Sequence, residues 1–99
     1  MPRRRRLILP NVPLHIIHRG NNRQVCFVAV DDYRRYLYWL REYAELTGCR
    51  VHAYVLMTNH VHLLVTPERE QSPSELMKAL GQRYAQYFNR TYQRTGPFW

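Results

Sequence analysis

The hydrophobic pattern changes period several times along the chain. Over residues 12–19, Leu14 and Ile16 share one side of an extended segment and His15, Ile17 and Arg19 share the other, the alternation of a strand with one buried face. Gly20-Asn21-Asn22-Arg23 follows as turn chemistry, since Gly and Asn tolerate positive φ. The period then lengthens. Tyr33, Tyr36, Leu37, Leu40, Tyr43 and Ala44 recur at the spacing of one helical face, with Asp31-Asp32 as an acidic cap before them and Thr47-Gly48 as the stop, which predicts a first helix over 33–46. Residues 49–57 and 60–66 read as two further strands separated by Thr58-Asn59, a break short enough for an antiparallel hairpin. Ser72-Pro73-Ser74-Glu75 carries the pattern of a capping box with Pro at the first helical position. Leu76, Met77, Leu80, Tyr84, Tyr87 and Phe88 then mark the buried face of a second helix that runs toward Gly96-Pro97.

The order strand, helix, strand, strand, helix predicts an α+β fold: a ferredoxin-like βαββα(β) unit with an antiparallel sheet and two helices on one face. The usual fourth strand has no residues left to form it. A single domain over 1–99 is expected, with residues 1–11 as a basic arm. The open sheet edge favours either a homodimer through that edge or poor solubility.

Charge changes the picture most. Fifteen Lys and Arg against seven Asp and Glu give a net charge of +8, and Lys78 is the one lysine. Arginine donates two hydrogen bonds in a planar fork that suits phosphate, so a nucleic acid is the first partner to expect and an acidic membrane surface the second. No apolar run approaches the ~20 residues needed to span a bilayer. The run Arg3-Arg4-Arg5-Arg6 with Leu7-Ile8-Leu9 has too short an apolar stretch for a signal peptide. Cys26 and Cys49 lack metal or disulfide spacing, which points to two reduced thiols in a cytoplasm.

The candidate chemistry lies in Met57-Thr58-Asn59-His60-Val61-His62-Leu63-Leu64-Val65. In a strand, alternate residues share a face roughly 6–7 Å apart. His60 and His62 therefore project together and could offer two ring nitrogens to one divalent ion, leaving other positions to a third ligand, water or substrate oxygens. Asn59 falls on the opposite face by parity and reads as turn or cap. A lone His-x-His is also what two hydrogen-bonded strand histidines look like.

The stretch from Leu56 to Val65 resembles the HUH motif (His, bulky hydrophobe, His) of the single-strand tyrosine transposases, most closely the REP-associated tyrosine transposase branch. His18-Arg19-Gly20-Asn21, Asp31-Asp32-Tyr33, Gly81-Gln82-Arg83-Tyr84 with Tyr87-Phe88-Asn89-Arg90, and Gly96-Pro97-Phe98-Trp99 agree in order. The resemblance implies DNA transposition and recombination by cleaving and joining single-stranded or hairpin DNA. It implies Mg²⁺ or Mn²⁺ on His60 and His62, and a tyrosine nucleophile that forms a phosphotyrosine. It implies DNA-binding roles for Arg3, Arg4, Arg5, Arg6, Arg19, Asn22 and Arg23. In that family the nucleophile and a third metal ligand lie on a later helix, so both are expected beyond Trp99. Tyr84, Tyr87 and Tyr92 belong to the helix before it, and the chain resembles the N-terminal part of such an enzyme.

The alternative is a non-catalytic module that binds RNA or a DNA hairpin. An RNA-binding sheet would carry several aromatics on one face, whereas these strands offer Tyr54. A metal-binding structural protein would need more ligands than two imidazoles.

Overall fold

The computed structural model describes residues 8–99. Its strands are β1 (Leu14–Arg19), β2 (Cys49–Leu56) and β3 (His60–Pro67), and its helices α1 (Val30–Thr47) and α2 (Ser72–Thr91). The sheet has the order β1-β3-β2 with both pairings antiparallel. This is the expected α+β arrangement, with three strands and two helices among the described residues. The basic arm residues Arg3, Arg4, Arg5 and Arg6 lie outside them.

Alternation along β3 divides the sheet. Val61, Leu63 and Val65 are fully buried, and across β1 they face His18, Ile16 and Leu14. Together with Tyr36, Leu40, Ala44, Leu76, Leu80, Tyr84 and Phe88 they form one core between the sheet and both helices. His60, His62 and Leu64 point to the other, open face. Tyr54 pairs with Leu63 and so belongs to the helix side. β2 departs from regular register between Val51 and Ala53. The bulge leaves His52 on the open face, where its Nε2 lies 2.6 Å from Thr66 Oγ1.

Both helices differ in detail from the sequence reading. α1 begins at Val30 after Ala29, so Asp31 and Asp32 lie in its first turn rather than before it. Asp32 is fully buried. It accepts the Val28 and Ala29 backbone N–H groups at 2.9 Å each, and the Tyr87 and Tyr92 hydroxyls at 2.6 and 2.5 Å. One carboxylate thus caps α1 and fastens it to the far end of α2. Burial alone would raise its pKa, but the hydrogen bonds from Ala29, Tyr87, Tyr92 and Val28 outweigh it and hold the carboxyl below its ordinary value.

The capping box at α2 does not form. Ser72 is already helical, and its hydroxyl accepts the Arg69 N–H at 3.2 Å. Glu75 instead pairs with the Arg69 guanidinium at 2.7 Å, because the charged partner is the stronger donor. Trp39, passed over in the helical stripe, is buried against Tyr87 with Arg83 over its ring at 4.7 Å. α2 stops at Thr91, short of Gly96. The segment beyond folds back: Phe98 enters the core, and Trp99 stacks on His18 with ring centres 3.6 Å apart.

Candidate metal and nucleic-acid site

The turn before β3 is tied at three points. Met57 N–H donates to His60 O at 2.9 Å, Gly20 N–H to Asn59 O at 2.9 Å, and Cys26 N–H to Thr58 O at 2.6 Å. These bonds clamp the start of β3 between β2 and the loop that leaves β1. From this fixed start, pleat alternation sends Val61 and Leu63 into the core and His60 and His62 onto the open face. The two rings stand edge to face, with centres 4.9 Å apart.

A third imidazole joins them. His15 on β1 lies with its Nε2 3.0 Å from His62 Nδ1. The sequence alternation puts His15 on the face it occupies, but nothing in one strand's pattern says that β1 docks beside β3. Asn59 is the residue that parity misjudged. It sits in the turn as expected, yet its Oδ1 reaches His60 Nδ1 at 2.8 Å.

His62 is held below the ordinary imidazole pKa, first by partial desolvation and then by the charges of His60, His15 and Arg19. The neutral ring, the form that ligates metal, is favoured there.

Arg19 is the residue directly across from His60 in the β1–β3 register. Beyond it the chain makes a single 3-10 turn at Asn21–Arg23, with Asn22 at φ 52° and Arg23 at φ 59°. Gly20 is packed so tightly that a Cβ there would fall 2.7 Å from Cys26 Sγ and Gln24 O. The Arg94 guanidinium braces the turn from α2's end by donating to Gln24 Oε1 at 2.6 Å. Arg19, Asn22 and Arg23 are all solvent-exposed at the same end of the sheet as the histidines. Of the seven basic and polar residues expected to meet DNA, these three are brought to the site, and the other four lie outside the described residues.

The tyrosines lie elsewhere. Tyr84 donates to Cys26 O at 2.5 Å, and the Tyr87 and Tyr92 hydroxyls are committed to Asp32. Tyr36 is buried, and Tyr33 stacks on Phe27. Tyr38, Tyr43 and Tyr54 belong to α1 and the helix side of β2. A concavity also lies on that side, between α1 and β2, where Arg34, Arg41 and Arg50 mix with Glu45 and Glu68. It contains no histidine and is remote from the imidazole cluster.

Two imidazoles on one face suit a borderline divalent ion. Among the described residues no group of three His, Cys, Asp or Glu is arranged to hold one, so His60 and His62 would supply part of a coordination sphere and solvent or substrate oxygens the rest.

Among known families, the one described as IS200-like transposase matches the chain over residues 9–99. No curated protein matches the chain.

Proposed function

The chain belongs to the IS200-like transposase family, and from that premise we propose that its open sheet face binds DNA and presents a backbone phosphate to a divalent ion held by His60 and His62. The observation that carries this reading is the placement of those rings beside exposed Arg19 and the Asn21–Arg23 turn. Bound there, Mg²⁺ or Mn²⁺ would act as a Lewis acid on the phosphodiester. The protein's own part is to hold both rings aimed, to favour the neutral form of His62, and to counter phosphate charge with Arg19 and Arg23. The DNA is single-stranded or hairpin in form, and the REP-associated branch is the closest family setting, as the HUH stretch implies.

The attacking hydroxyl is not drawn from Tyr84, Tyr87 or Tyr92. Their hydroxyls serve Asp32 and Cys26 in the core, and exposing any of them would dismantle the junction of the two helices. This favours a DNA-binding role without strand cleavage for the chain by itself. An RNA-binding sheet is less favoured, because Tyr54 belongs to the helix side and, among the described residues, the open face carries imidazoles but no other aromatic ring.

A labelled hairpin with a single-stranded flank, incubated with the protein and Mn²⁺, tests both parts. Retarded mobility that weakens steeply with salt, with no covalent adduct, is expected. An adduct lost in His60→Ala would show that a tyrosine of this chain attacks. No retardation at low salt would refute the DNA-binding reading.

A further inference from the structure

Two side chains outside the His60/His62 pair decide which ring nitrogen each histidine offers. Asn59 Oδ1 lies 2.8 Å from His60 Nδ1. A carbonyl oxygen only accepts, so His60 carries its proton on Nδ1 and leaves a lone pair on Nε2. His62 Nδ1 faces not a carbonyl but His15 Nε2, at 3.0 Å. The two ring centres are 5.2 Å apart and the planes differ by 11°. That separation is the nitrogen–nitrogen gap plus the radius of each five-membered ring. The imidazoles therefore meet edge to edge along one N–H···N bond, not face over face.

The direction of that bond fixes what His62 can do. When His62 donates, its Nε2 holds a lone pair and can ligate. When His15 donates, His62 Nε2 carries the proton and cannot. We propose that His15 is the positioning residue of His62, accepting its Nδ1–H bond and imposing the tautomer that Asn59 imposes on His60, so that both rings present Nε2 to one divalent ion. The inference rests on the metal reading above. A cation at Nε2 makes the Nδ1–H a better donor, so ion binding and the His15 bond reinforce each other.

The register explains why the contact exists. His15 is opposite Leu64, and His62 is opposite Ile17. His15 and His62 are thus diagonal neighbours on the open face, a separation that long side chains bridge. The orienting group comes from a strand 47 residues away in sequence, so the site is assembled only when β1 docks on β3.

The test compares His15→Gln, whose amide oxygen can accept the same bond, with His15→Phe, which fills similar space without an acceptor. Mn²⁺ affinity is read by calorimetry without DNA, and histidine tautomers by two-bond ¹H–¹⁵N correlation, with circular dichroism confirming that each variant folds. The wild type should show His60 and His62 as Nδ1–H tautomers. His15→Phe should mix the His62 tautomers and weaken Mn²⁺ binding about 10–100-fold, and His15→Gln should recover most of the affinity. A wild-type His62 protonated on Nε2, or a His15→Phe variant that binds Mn²⁺ as the wild type does, overturns the positioning role. His60→Ala and His62→Ala separate the two levels: if both bind Mn²⁺ undiminished, the metal reading itself fails, whereas loss in both with no effect of His15→Phe sinks the positioning role alone.

Discussion

Asp32→Asn is the perturbation whose cost can be worked most closely from the structure. The carboxylate Oδ2 accepts from Val28 N–H, Ala29 N–H and the Tyr92 hydroxyl, and Oδ1 accepts from the Tyr87 hydroxyl. Asparagine can keep the three-donor oxygen and turn its amide toward Tyr87, whose hydroxyl rotates to accept. The three retained bonds then fall from charge-assisted (~1.5–3 kcal/mol) to neutral (~0.5–1.5 kcal/mol), a loss of about 1 kcal/mol each. Removing a negative charge from the first turn of α1 costs a further ~0.5 kcal/mol. The total, about 3–4 kcal/mol, is a large share of the ~5–15 kcal/mol that holds a domain folded.

Urea denaturation followed by far-ultraviolet circular dichroism reads this directly. At pH 7 the midpoint should drop, with Tm lower by more than ~10 °C, given ~4–8 °C per kcal/mol at this size. The pH dependence gives a second reading. Because the folded carboxyl lies below its ordinary 3.8, its contribution is complete above that value. It is lost as pH falls through the lower, folded one. The gap between wild type and Asp32→Asn should therefore close only in strong acid. A loss under 1 kcal/mol at pH 7, or a gap that closes near neutrality, would refute this account of the helix junction.

Other outcomes follow from single features. His18, stacked under Trp99 with its Nδ1 unpartnered among the described residues, is lowered by burial from 6.5 to about 4. The unfolded chain takes up that proton first, so about 3 kcal/mol of stability should disappear as pH falls from 6.5 to 4. Trp99 fluorescence should report the transition, and His18→Phe should remove most of the pH dependence; an unchanged profile would contradict the assignment. Gly48 closes α1 at φ 76°, where a Cβ would fall 2.9 Å from Glu68 Oε2. Gly48→Ala should cost at least about 1 kcal/mol in urea titration, and a neutral result would mean that the left-handed cap is dispensable. Arg19→Ala with Arg23→Ala should flatten the plot of log K against log salt for single-stranded DNA by about 0.7 per lost contact. An unchanged slope would move the phosphate contacts elsewhere.

What was legible in the sequence was whatever one segment decides by itself. Parity put His60 and His62 together, and helical spacing found Tyr36, Leu40, Leu80, Tyr84 and Phe88 in the core. Three readings changed because of a partner outside the segment being read. Asp32 looks like a surface cap until Tyr87 and Tyr92 close over it, and Glu75 fits a capping box until Arg69 outbids the backbone for it. His15 is an unremarkable strand histidine until β1 pairs with β3. The contact of Asn59 with His60 went unseen for a different reason: parity tracks the direction of Cβ in a strand, and a turn residue does not obey it.

The central claim is that the histidine pair and the Arg19 end of the sheet form one site for an ion and a DNA backbone. Paramagnetic broadening by substoichiometric Mn²⁺, recorded on ¹⁵N-labelled protein with and without hairpin DNA, tests it most directly. The account predicts that signals of His60, His62 and His15 broaden first, that DNA increases the effect, and that the shifts induced by DNA fall on Arg19 through Arg23. Broadening centred on the carboxylates Glu45 and Glu68, or DNA-induced shifts confined to the α1 side of the sheet, would contradict it.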